Sequence, residues 1–435
     1  MLEPKTPSSQ TRLPGADGLR AIACLMVVFS HLGQRLARED QVPAVQFIQD
    51  FFVKGAYGVS VFFVLSGFLL SIPFWTRYLE QREFPDLREY VRRRARRIVP
   101  GFYASLIVSF LVTMILVPDV QYAWLRLVSA LTFTNAFHHV TFFPTDVNGP
   151  LWSIGFEVVC YVLMPLCMIG MFRLSRTRSS GFAWAYWFGV ILLVLSVNQL
   201  IVTFLVPDSE NRGWQYGIIG GAKSWMPGYN PVGMFAQYAL GILAAGFVAN
   251  RRATIQVSQA RAEESRPLSA GEARSSSWVF DVVALVAFLI ASGILLSLRF
   301  LHPESPTEPI QNGLQMQPYM YPIFPGLVAV MLATLPFSRV LGRIFDNPFA
   351  QFTARVSFGL YVWHYLLLEV VRLTMLPDWK YFGIKDLGTH LVISAACLAV
   401  AYGLATLSYR LIESPFLGRG KGEGFKGSTT SHVSS

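Results

Sequence analysis

Ten blocks of apolar residues, near 18–36, 55–76, 98–117, 151–172, 182–206, 232–249, 278–298, 321–337, 354–376 and 387–412, constrain this chain more than any other feature. Most run for about 17 to 25 residues, the length at which a helix crosses a hydrocarbon layer of roughly 30 Å while satisfying its own backbone polar groups. A soluble core has no use for so many. The spacing predicts an all-α integral membrane protein, a polytopic bundle of about ten transmembrane helices in the cell membrane. Of 36 lysines and arginines, 26 fall in the tails and loops that share a side with the N-terminus, which predicts both termini inside. The net charge of +10 is then explained by contact with anionic lipid and requires no nucleic acid.

The expected organisation is a cytoplasmic N-terminal tail (1–17), a membrane domain (18–417) and a disordered cytoplasmic C-terminal tail (418–435). The Ser/Ala/Arg-rich segment 250–277 lacks apolar periodicity and is expected to be a flexible cytoplasmic loop. Segments 119–150, 207–231 and 299–320 are expected to form a partly structured outer cap. The first block is followed by QRLARED rather than by small residues, so it is expected to stay as a helix and not to be removed. The four cysteines, Cys24, Cys160, Cys167 and Cys397, fall inside apolar blocks without metal-site or disulfide-framework spacing, and are expected to be inert packing residues with no metal bound.

Ionisable groups inside such spans are costly, so their placement is informative. Arg20 and His31 lie eleven residues apart in the first block. Over that length a helix advances about 16.5 Å and turns ~1,100°, which leaves only roughly 20° between the two side chains. They share one face, either as a polar track to a reaction site or as an interface arginine and a hydrogen-bonded structural histidine. In the fourth block, Glu157 lies about one and a half turns below the outer end, at a depth similar to that of His31. A carboxylate there either fixes the imidazole for general-base work or bonds Ser, Tyr or backbone groups. His364, near the middle of the ninth block, either pairs with His31 or Glu157 or packs as a core residue. The basic run Arg92, Arg93, Arg94, Arg96 and Arg97 meets the third block at Pro100. It either binds phosphates bidentately or anchors the inner leaflet, and Arg97, nearest the membrane, is the first candidate for a ligand contact.

Six segments occur in order: Arg-x10-His (Arg20, His31), GVSVFFVLSGFLL (58–70), RRxxRIxP (93–100), LWSIGFE (151–157), SFGLYVWH (357–364) and YRLIESP (409–415). Together they resemble the acyltransferase 3 family of integral membrane acyltransferases over residues 14 to 417. The resemblance implies transfer of an acyl group, most often acetyl, from cytoplasmic acyl-CoA to a hydroxyl of a surface glycan, lipid or small metabolite. It implies that His31 is the catalytic histidine, Arg20 its partner, Arg93 and Arg97 the donor-side arginines and Glu157 the acid of the fourth span. Many relatives carry two consecutive acids there, whereas position 158 is Val in this chain. Some relatives also append an extracytoplasmic esterase-like domain, and without one the membrane domain is expected to act alone or with a partner protein. His31 would act either as base for direct transfer or as nucleophile through an acyl-histidine, with Arg20 or Ser153 as candidate oxyanion donors. Two further readings are a proton-coupled transporter or flippase, with His31, Glu157 and His364 as its relay, and a membrane scaffold. Trp214, Trp225, Tyr229 and Tyr319 either stack on acceptor sugars or mark the membrane interface.

Overall fold

The computed structural model describes residues 13–39, 41–175, 177–204, 226–265, 277–301, 313–314, 317–375 and 383–417. Its helices are α1 (Ala16–Gly33), α2 (Pro43–Val53), α3 (Gly58–Leu79), α4 (Leu87–Leu116), α5 (Ala123–Leu131), α6 (Trp152–Leu174) and α7 (Ser180–Phe204). They continue with α8 (Pro231–Ser265), α9 (Ser277–Leu301), α10 (Ile323–Thr334), α11 (Leu341–Phe345), α12 (Pro348–Met375), α13 (Leu387–Ser408) and α14 (Ser414–Leu417). Among the described residues, nine helical segments are long and apolar enough to cross a membrane. The protein is a multi-pass membrane protein built from helices.

Two expectations about the elements are corrected. The block at 321–337 is a shorter apolar helix, Ile323–Phe337, because Pro322 opens it and a 3₁₀ turn over Leu335–Phe337 closes it. The segment expected as a loop from residue 250 is helical as far as Ser265, since α8 runs on for 35 residues, about 52 Å at 1.5 Å each, well beyond the hydrocarbon thickness. The rest of that segment, the C-terminal tail, Trp214 and Trp225 lie outside the described residues. The segment from 119 to 150 carries α5 and is tied down by the buried Arg126, which reaches Asp146 at 2.7 Å and the Phe143 carbonyl at 2.8 Å.

Small residues set the closest approach. A Cβ on Gly241 of α8 would stand 1.9 Å from the Val64 carbonyl oxygen of α3, and one on Gly67 would stand 2.0 Å from that of Tyr238. With no hydrophobic force between helices in lipid, such close backbone packing holds a membrane bundle together. Large apolar residues of α7, α9 and α13, among them Leu193, Phe204, Leu289 and Val392, remain exposed and form the lipid-facing belt.

The seam that places the site joins α1 to α12, which run parallel. At its start the Asp346 carboxylate accepts the Gly15 and Gly18 N–H groups, each at 2.9 Å. Gly15 has φ 85°, the left-handed region that glycine reaches without a side-chain clash, and this conformation turns its N–H toward Asp346. Farther along, the Cys24 thiol meets the Ser357 carbonyl at 3.5 Å, His31 meets His364, and Arg35 meets Glu369. Beyond the helix, Ala37 and Ile384 continue the contact through a backbone hydrogen bond of 2.9 Å.

Candidate active site

Helix α1 offers Arg20 to a cavity and His31 to a ring of α12. Arg20 lines a cavity of about 100 Å³ enclosed by α1, α3, α4, α6 and α12. Arg94 and Arg97 of α4 line it too, together with Glu157 of α6. A second cavity, of about 270 Å³, lies between the end of α3 and the start of α4 and shares Leu69, Leu70 and Arg94 with the first. The two are neighbours across that shared wall. Arg93 lies on the second cavity only, where Glu89, one turn back on α4, holds it at 2.6 Å. Successive helical residues differ by about 100°, so Arg94, not Arg93, turns with Arg97 toward the inner chamber.

Glu157 makes its hydrogen bonds away from His31. The Ser66 hydroxyl donates to its Oε1 at 2.7 Å, and the Tyr161 hydroxyl donates a second short bond to the same oxygen. Similar depth was the only ground for pairing Glu157 with His31, and depth says nothing about azimuth. Helix α6 packs on α3 and α8, and α1 packs on α12 and α3, so α3 lies between α1 and α6 and the carboxylate meets α3 and the arginine-lined cavity. Ser153, one turn before Glu157, shares a 2.8 Å hydrogen bond with the Tyr361 hydroxyl and also donates to the Pro150 carbonyl.

His31 is paired with His364. Nδ1 of His31 lies 2.9 Å from Nε2 of His364, with the rings stacked at 5.1 Å. Nδ1 of His364 lies 2.9 Å from the Leu360 carbonyl oxygen. That oxygen only accepts, so Nδ1 of His364 carries the hydrogen, and Nε2 of the neutral ring is an acceptor. Nδ1 of His31 must then donate, which leaves the lone pair of a neutral His31 on Nε2. Among the described residues Nε2 of His31 has no hydrogen-bond partner. The arrangement fixes one tautomer and leaves one basic nitrogen open on a half-buried ring, as a general base or nucleophile requires.

Tyr361 stands between the arginine cavity and the histidine pair. Its ring lines the arginine cavity, packs edge-on against Phe62 at 5.7 Å and lies 6.1 Å from the ring of His364. Sequence reasoning missed Tyr361 and Arg94, although Tyr361 is one turn from His364 and Arg94 is inside the basic run. Tyr229 and Tyr319, expected as possible sugar platforms, are buried against each other, with ring centroids 5.9 Å apart. Cys24, Cys160, Cys167 and Cys397 are free thiols, three of them buried and Cys167 half-buried.

The family model described as an acyltransferase domain, acyltransferase 3, matches residues 13–409. The chain is 23% identical over 445 residues to the peptidoglycan O-acetyltransferase OatA of Listeria monocytogenes, an alignment that covers 97% of the chain and 58% of that relative. It is 22% identical over 416 residues to the O-acetyltransferase OatA of Staphylococcus aureus, covering 94% of the chain and 58% of the relative. The chain thus spans less than two thirds of the length of these relatives. No solved structure matches it.

Proposed function

Because this chain belongs to the acyltransferase 3 family, we propose that it is a membrane O-acyltransferase that moves an acyl group, acetyl by analogy with its relatives, from acyl-CoA to a hydroxyl of a surface glycan. The observation that carries this reading is the pairing, on one α1–α12 seam, of an arginine-lined cavity with a histidine whose Nε2 is open. With the N-terminus inside, the two neighbouring cavities lie toward the cytoplasm. The phosphates of the donor rest against Arg94 and Arg97, and Arg20 takes the deeper part of the donor. The thioester end passes Tyr361 and Phe62 to reach His31.

At His31, Nε2 takes the proton of the acceptor hydroxyl as its oxygen attacks the thioester carbonyl. Nδ1–H stays bonded to His364, which holds the imidazolium in place while the tetrahedral intermediate forms. Collapse of the intermediate breaks the C–S bond, and the Nε2 proton goes to the leaving sulfur. A positioned base of this kind contributes about 10²–10⁴ in rate. Glu157, held by Ser66 and Tyr161, balances the arginines of the cavity and takes no part in proton transfer.

The transport reading requires a proton relay through His31, Glu157 and His364, and the hydrogen bonds of Glu157 run to α3 and within α6 instead. Transfer is tested with purified protein in lipid nanodiscs, acetyl-CoA and oligosaccharides released from the cell surface. Release of free CoA thiol together with a gain of one acetyl mass on the saccharide is expected. Neither occurs if the protein is a transporter.

A further inference from the structure

Just past the histidine pair, the turn that follows α1 is joined to α12 by groups that the reaction does not use. Arg35, four residues after His31, forms a short ion pair with Oε1 of Glu369, five residues after His364. Oε2 of Glu369 is held in turn by Arg372, whose Nε lies at 2.7 Å. The side chains of Arg35, Glu369 and Arg372 keep only 10%, 5% and 11% of their exposure. A buried ion pair is a poor device for stability, because desolvation offsets most of its attraction, and apolar residues often do as well. What it supplies is fixed geometry.

Tyr365 carries that geometry to His31. The Arg35 guanidinium lies 5.3 Å over the Tyr365 ring. The same ring meets His31 edge-on at 4.8 Å. His31 is therefore bounded by two rings, His364 stacked on it and Tyr365 against it at 78°. A half-turn of χ2 would take Nδ1 off His364 and move Nε2, and the hydrogen bond to His364 is the only polar restraint against it among the described residues.

We propose that Arg35, Glu369 and Tyr365 are positioning residues that lock the χ2 angle of His31, keeping Nδ1–H on His364 and Nε2 open to the acceptor hydroxyl. The catalytic consequence rests on the acyltransferase reading, whereas the locked ring does not. Two measurements on the full chain keep them apart. ¹⁵N NMR of histidine-labelled protein reports the tautomer of His31, assigned by its loss in His31→Ala, whether or not the protein transfers acyl groups. Steady-state kinetics reports kcat and the KM for acetyl-CoA.

The wild type is expected to show a single Nδ1–H tautomer at His31. Glu369→Gln and Tyr365→Leu are expected to give mixed tautomers and a kcat lower by about tenfold or more, a part of the ~10²–10⁴ due to a positioned base, with KM unchanged. Glu369→Asp and Tyr365→Phe, which keep the charge or the ring, should recover most of the kcat. If Glu369→Gln and Tyr365→Leu lose thermal stability but retain the single tautomer and the kcat per folded molecule, the cluster is only a clamp and the proposal is overturned. If the wild type transfers no acyl group but the variants still mix tautomers, the locked ring stands and the acyltransferase reading fails.

Discussion

His31 and His364 face each other across 2.9 Å from parallel helices, and the Leu360 carbonyl behind His364 dictates which nitrogen of each ring carries hydrogen. His364→Ala removes the acceptor for Nδ1–H of His31. Turnover is expected to fall by at least ~10-fold, toward the ~10⁴ lost when the orienting partner of a catalytic histidine is disabled in a Ser-His-Asp triad. His364→Gln, whose amide oxygen accepts, should lose less. Steady-state kinetics on the two variants checks the order.

The two adjacent arginines should fail differently. Arg94→Ala removes a charge-assisted contact worth about 1.5–3 kcal/mol, which raises the KM for acetyl-CoA about 10- to 100-fold. Arg93→Ala should raise it far less, because the Arg93 side chain is 69% exposed and already paired with Glu89. Equal effects would show that the basic run acts as a diffuse charge.

The α3–α8 contact leaves no room for a methyl group. Gly241→Ala places a Cβ against the Val64 carbonyl and should cost about 1–3 kcal/mol through overpacking. Thermal unfolding in detergent should show the loss. Gly293→Ala, with open space around its Cβ, should be silent.

The orientation carries the donor route. Single cysteines at Glu83, before α4, and at Gln121, after it, are both at exposed positions. Glu83→Cys should react with an impermeant maleimide only from the cytoplasmic side and Gln121→Cys only from outside. Reversed labelling would place the arginine cavities away from cytoplasmic acyl-CoA.

Much of this site was legible because helices repeat. Arg20 and His31 share a face by arithmetic, and Arg20 lines the arginine cavity while His31 meets His364 of α12. That His364 reaches His31, and Glu157 does not, depends on which helices are neighbours, and a single span carries no record of its neighbours. Arg93 was named ahead of Arg94 on the resemblance alone; both sit in one run, where only the rotation of α4 separates them. Arg35 and Glu369 left a faint signal, each about one turn beyond a histidine, but the two lie 334 residues apart and become a pair only when α1 and α12 align.

The central claim is that Nε2 of His31 performs the chemistry while the arginine cavity holds the donor. It is tested most directly by the turnover of His31→Ala at saturating acetyl-CoA, alongside CoA binding to the same folded variant. The account predicts a kcat lower by about 10²–10⁴ with the affinity for CoA intact. Near-normal turnover at saturation would contradict it.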